Sequence, residues 1–121
     1  MWKITPYEKK YHSQWEQFRE QALAEGNDSL IKEKLDPENL DGILHLLWED
    51  DKLASCQAAE VDHYTDNPTA IRMCRLHTLK PYRRTTYGMP LTKVQIDWAR
   101  DRGYDHIWAS VDVNRTGYNA I

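Results

Sequence analysis

A chain of 121 residues, 40% hydrophobic and 29% charged, has apolar surface for one core and not for two. Its net charge of −3 and pI near 5.9 argue against a nucleic-acid partner, since the only local basic clusters are Lys9–Lys10 and Arg83–Arg84. No apolar run approaches the ~18–20 residues of a membrane span, and the N-terminus lacks the unbroken apolar stretch of a secretory signal. No membrane partner and a cytoplasmic location are therefore expected.

Residues 2–7 (WKITPY) predict a short strand ended by Pro6. Tyr11, Trp15, Phe18 and Ala22 then recur at spacings of four, three and four, which places them on one helical face. Gly26–Asn27 stops that helix. Asp28 or Ser29 can cap a short second helix carrying Leu30, Ile31 and Leu35, with Pro37 ending it. The segment DPENLDG reads as a polar connection.

From Gly42 the pattern becomes strand-like. Residues 43–49 (ILHLLWE) and 53–61 (LASCQAAEV) flank the polar tip Asp50–Asp51–Lys52 and predict a hairpin. TDNPT at 65–69 is a second turn, and 70–79 (AIRMCRLHTL) a third strand. A helix follows with Leu91, Val94, Trp98 and Ala99 toward the core, Pro90 in its first turn and Gly103 past its end. Residues 105–113 (DHIWASVDV) alternate as a last strand, parallel to the preceding one because a crossover helix joins them. The predicted order is β-α-α-β-β-β-α-β, a mixed α/β domain.

Cys56 and Cys74 lack metal-ligand spacing and read as reduced core residues; His12, His45, His63 and His106 likewise form no ligand set, so no metal is expected. Trp48 and Trp108 read as core or cleft packing. The chemically distinctive stretch is KPYRRTTYGMPL, residues 80–91, a turn from strand into helix. A helix start leaves N–H groups without intrahelical partners, and successive amides aimed inward form an anion nest. Arg83 or Arg84 can add a charge-assisted bond. The alternative is a solvated basic turn before an ordinary amphipathic helix. Neither G-x-x-x-x-G-K-[ST] nor G-x-G-x-x-G is present, which excludes a nucleotide P-loop and a dinucleotide fingerprint.

The run LHTLKPYRRTTYGMPLTKVQIDWARDRGYDHIWASVDVN resembles the GNAT N-acetyltransferase family: strand, Pro-Tyr-Arg turn, long helix, and a strand closing on Asn. That family's turn carries [Q/R]-x-x-G-x-[G/A], whose amides bind the pyrophosphate of acetyl-CoA. The matching register is Arg83, Arg84, Thr85, Thr86, Tyr87 and Gly88, with Leu91 at the first buried helix leucine. Thr86 replaces the first motif glycine, and the turn is one residue short between Pro81 and the arginine. The resemblance implies a GNAT-like mixed sheet, an antiparallel meander plus a parallel strand joined by a crossover helix, lacking the family's usual last two strands. It implies one acyl-CoA-binding domain over residues 1–121, shortened at the C-terminus, and a homodimer covering the exposed sheet edge.

The resemblance also implies direct transfer of an acetyl group from acetyl-CoA, as cosubstrate, to a primary amine of a small molecule or peptide. The pantetheine arm would bond to main chain in residues 75–79, including Leu76, Thr78 and Leu79, and the strand-terminal Asn114 would contact the cosubstrate. His77, beside the thioester, is the candidate base; its alternative is a half-buried, hydrogen-bonded histidine. Glu60 (with Asp62) could act through water or be a solvated strand end, and Tyr118 could stand in for the family's tyrosine general acid. The acceptor would lie near residues 24–40, whose Glu25, Asp28, Glu33, Asp36 and Glu38 favour a cationic amine. The alternative function is a non-catalytic acyl-CoA-binding or protein-interaction module on the same fold.

Overall fold

Alternation of apolar side chains sorts the second strand between two faces, and the rest of the fold follows from that sorting. The computed structural model describes residues 1–61, 68–83 and 87–109. Strands β1 (Trp2–Pro6), β2 (Gly42–Glu49), β3 (Lys52–Val61), β4 (Ala70–Thr78) and β5 (His106–Ala109) form one sheet in the order β1-β2-β3-β4-β5. The pairs β1–β2, β2–β3 and β3–β4 are antiparallel, and β5 runs parallel to β4. The β2–β3 hairpin turns through Asp50 at φ 57°, a left-handed position that aspartate tolerates better than most residues.

Leu44, Leu46 and Trp48 of β2 share a core with Trp15, Phe18 and Ala22 of helix α1 (His12–Ala24), together with Cys56 and Ala58 of β3. Leu47, one residue out of phase, packs on the opposite face with Ala54, Tyr87 and Leu91, the last on helix α2 (Gly88–Asp101). Thus α1 covers one face, and α2, the crossover between β4 and β5, covers the other. Gly26 at φ 95° and Gly103 at φ 87° end the two helices in conformations that L side chains rarely adopt.

Two sequence expectations need correction. The short second helix is a single 3₁₀ turn, Asp28–Leu30. Asn27 accepts the Ser29 amide, Ile31 leaves in an extended conformation (ψ 154°), and isolated turns still bury Leu30 and Leu35. Side-chain-to-backbone bonds at Asn27 and at Asp36, which accepts the Glu38 amide, replace helix propagation here. On α2 the buried stripe is Leu91, Gln95 and Ala99, while Val94 and Trp98 are only partly covered.

Candidate active site

The site begins at a defect in the β3–β4 ladder. Cys56 pairs with His77 and Ala58 with Cys74, so Gln57 alone opposes Arg75 and Leu76. The bulge places Arg75 at φ 58°, a strained position for a non-glycine residue. At the same level, the Gln57 carbonyl accepts Nε2 of the fully buried Gln95 at 2.6 Å. Pairing of β4 with β5 covers Ala70–Met73 and thus lies to one side of the bulge.

The bulge aims consecutive side chains differently. Arg75 reaches the loop after α1, donating from Nη1 to the Ser29 carbonyl (3.0 Å) and from Nε to Glu60 (2.9 Å). Leu76 stays 38% exposed beside the start of α2. His77 turns under α1, edge-on to Phe18, and is 5% exposed.

A hydrogen-bond chain sets the tautomer of His77. Asn27 Oδ1 accepts from both the amide and the hydroxyl of Ser29, at 3.0 and 2.6 Å, which fixes the orientation of its amide. Asn27 Nδ2 therefore donates to His77 Nδ1 (3.0 Å). In the neutral ring Nε2 then carries the hydrogen and donates to Glu25 Oε1 at 3.0 Å. Glu25 also accepts the Lys80 amide on both oxygens (3.3 and 3.2 Å) and Arg83 Nη2 at 3.1 Å. Burial alone would raise the Glu25 carboxyl; the Lys80 amide, His77 and Arg83 together hold it below its ordinary range. A carboxylate at the C-terminal cap of α1 opposes the helix dipole, so these donors rather than the helix account for its place.

The same network directs Arg83. Besides Glu25, its Nε donates to the Thr78 carbonyl at 2.8 Å, which turns the guanidinium back toward β4. Tyr87, before α2, is buried and donates its phenol hydrogen to Glu49 at the end of β2, so only its backbone is available to a ligand. Gly88 opens α2; a Cβ there would stand 3.3 Å from Leu76 Cδ2. No side chain caps the helix and no acidic residue occupies its first turn, so its N-terminal field is uncompensated by protein groups among the described residues. That start suits an anion such as a pyrophosphate.

Of the residues expected at the site, Leu76, His77 and Arg83 line one cavity of about 520 Å³ with Glu25, Gly26, Asn27, Ser29 and Arg75. Thr78 bonds Ser55 through its hydroxyl at 2.8 Å, and Leu79 packs into the core. Glu60 is paired with Arg75 and lines a different hollow. Arg84, Thr85, Thr86, Asn114 and Tyr118 lie outside the described residues. Sequence reasoning missed Asn27, Ser29 and Arg75 as site residues, and reads Glu25 as one of the acids favouring a cationic acceptor and not as the partner of His77. Among the signals present, Asn-x-Ser after a helix-stopping glycine marks a side-chain-bonded turn. Cys56 and Cys74 are free thiols; burial pushes the first up strongly and the second to about 11, so neither is a ready nucleophile.

Comparison with known proteins gives this arrangement a family. No curated protein sequence matches the chain. Among solved structures it resembles the aminoglycoside N-acetyltransferase AAC(6')-Iy in complex with a bisubstrate analogue of CoA (TM-score 0.77, 13% identity, 99% of this chain and 86% of that one). It also resembles aminoglycoside 6'-N-acetyltransferase AAC(6')-Ih from Acinetobacter baumannii (0.72, 16%, 99% and 86%). A third similar structure is glucosamine-6-phosphate N-acetyltransferase from Arabidopsis thaliana (0.70, 14%, 99% and 88%). At such identities the likeness shows the fold. The family model described as Acetyltransferase (GNAT) family matches residues 7–119, nearly the whole chain, and the chain belongs to that family.

Proposed function

We infer that the chain transfers an acetyl group from acetyl-CoA to a primary amine. One observation carries this reading: a single cavity joins the loop expected to hold the acceptor (Gly26, Asn27, Ser29) to the strand expected to hold the thioester (Leu76, His77). Two solved structures of similar fold are named for acetyl transfer to aminoglycosides and to glucosamine-6-phosphate, and one of them holds a CoA analogue. The uncapped start of α2 at Gly88 suits the pyrophosphate, and residues 83–88 would supply the amides.

In this reading the neutral amine attacks the thioester carbonyl. An N–C bond forms, the C–S bond breaks, and CoA leaves as thiolate to be protonated by solvent. The proton lost by nitrogen goes to His77 Nδ1 as the Asn27 bond gives way, and Glu25 at Nε2 stabilises the imidazolium. Glu60, bound to Arg75, is placed to hold that arginine rather than to take a proton. A soluble homodimer in the cytoplasm belongs to the same proposal; no described helix is long and apolar enough to cross a membrane.

A second reading, a non-catalytic acyl-CoA-binding module, draws on the fact that both His77 ring nitrogens have protein partners. Calorimetric titration with acetyl-CoA, followed by thiol-release assays over a panel of amines, separates the two. Binding with release supports transfer, and binding without release to any amine supports the module. No binding at millimolar ligand overturns both.

A further inference from the structure

The charges around the cavity differ from those expected of its sequence neighbourhood. Of the acids in residues 24–40, Glu25 is already satisfied by His77, Arg83 and the Lys80 amide. Asp28 faces Lys34 at 3.8 Å, while Glu33 and Asp36 line a separate hollow with Asp41 and Glu60. Of the five acids in that stretch only Glu25 borders the cavity that holds His77; Asp28, Glu33, Asp36 and Glu38 do not.

Its border holds two guanidinium groups, Arg75 and Arg83, each already paired with one carboxylate, Glu60 and Glu25 in turn, so what they still offer is hydrogen-bond donors. Arg75 uses Nε for Glu60 and Nη1 for the Ser29 carbonyl; Arg83 uses Nε for the Thr78 carbonyl and Nη2 for Glu25. Arg75 Nη2 and Arg83 Nη1 therefore keep their hydrogens for a ligand among the described residues. Arg75 is held firmly, its side chain 19% exposed and its backbone locked in the bulge, so it is preorganised for an oxyanion.

We propose that the acceptor carries an anionic group besides its amine: a carboxylate or phosphate bound by Arg75, with Arg83 as a second donor, while the amine faces His77. The inference rests on the acyltransferase reading, whose acceptor it specifies. It replaces the preference for a cationic amine that the acidic composition of residues 24–40 implies with one for an acceptor that also carries an anion. A polycation entering the cavity would find its one bordering carboxylate, Glu25, already taken by His77 and Arg83, and would face guanidinium donors it cannot accept from.

The test is calorimetric titration of the protein saturated with CoA by 4-aminobutyrate, O-phosphoethanolamine and putrescine at one ionic strength. The first two probes distinguish a carboxylate from a phosphate; putrescine replaces the anion of the first with a second amine. Binding of either anionic probe about ten-fold or more tighter than putrescine is expected. Arg75→Gln should collapse that ratio toward one, and the milder Arg83→Gln should reduce it, with circular dichroism confirming that both variants fold. Putrescine binding as tightly as the anionic probes, no binding of any probe at millimolar concentration, or a ratio unchanged in both variants overturns the inference. Because binding is read apart from turnover, the two readings fail separately. Acetylation of putrescine in preference to 4-aminobutyrate overturns the inference and keeps the transferase. Anion-selective binding without transfer to any amine supports the anion site and overturns the transferase.

Discussion

Glu25 Oε1 and His77 Nε2 lie 3.0 Å apart although 52 residues separate them, and their bond joins the end of α1 to the end of β4. The contact is buried on both sides, with the histidine side chain 5% and the carboxylate 9% exposed. Asn27, fixed by Ser29, leaves His77 Nδ1 as an acceptor. The pair has the form of a base oriented by a carboxylate, with the accepting nitrogen turned toward Asn27 at the cavity wall.

Glu25→Gln should therefore cost both stability and rate. The amide removes a charge that accepts from Lys80, His77 and Arg83, a loss of about 2 kcal/mol by the usual worth of charge-assisted bonds. The wild-type carboxyl is held below its ordinary range, so its stabilisation is complete above that range and is lost as pH falls through the lowered value. In the variant this part of the acid dependence should vanish from urea titrations. With His77 no longer oriented, kcat should fall about 100-fold. A variant with wild-type kcat would show that the pair is structural only.

Gly88 separates a packing role from a ligand role. Among the described residues a methyl at this position meets only the flexible end of Leu76 at 3.3 Å, so Gly88→Ala should change stability by less than about 1 kcal/mol. Gly88→Val puts a branched side chain at the helix start, where the cosubstrate's pyrophosphate would approach the backbone. Its Kd for acetyl-CoA should rise about 100-fold, near 2.7 kcal/mol, with thermal unfolding little changed. Unchanged affinity in the valine variant would remove the amide cradle from the mechanism.

His45 gives a pH signature independent of the site. It lies on β2, 5% exposed, with Nδ1 buried and without a hydrogen-bond partner among the described residues. Burial lowers it from 6.5 to about 4, so between those values the unfolded chain binds a proton that the folded chain refuses. Its contribution is thus fully present above pH 6.5, declines as pH falls, and levels off below about 4. By the usual conversion the total is roughly 3 kcal/mol. His45→Leu should flatten the stability profile between pH 6.5 and 4; an unchanged slope would assign it to other groups.

Strand positions were legible because their side chains alternate: Leu44, Leu46 and Trp48 reach one core and Leu47 the other. The crossover helix and its parallel partner followed from length and the stop at Gly103. The second helix misled because Leu30 and Leu35 are buried as a helix would bury them, while Asn27 and Asp36 bond locally instead. Gln95 occupies the core position expected of an apolar residue because the bulge leaves the Gln57 carbonyl for its Nε2. The Glu25 and Arg75 contacts are long-range products of that bulge, and no local pattern encodes them.

Gly42 should be the least replaceable glycine of the described chain. It begins β2 opposite Glu60, at φ 154°, where the strands approach closely. A Cβ there would lie 1.9 Å from the Ala59 carbonyl oxygen and 2.9 Å from its carbon, both backbone atoms that cannot rotate away. The two strands must separate locally, which disturbs the ladder between β2 and β3 and the packing of Ile43 beside Ala59. Gly42→Ala should cost about 3 kcal/mol or more, above the range of ordinary surface changes. Gly26→Ala provides the contrast: its φ of 95° strains any side chain, yet no described residue lies within 4 Å, so only a conformational cost of about 1 kcal/mol remains. Equal losses for the two variants in parallel urea melts would show that the close approach at Ala59 relaxes freely.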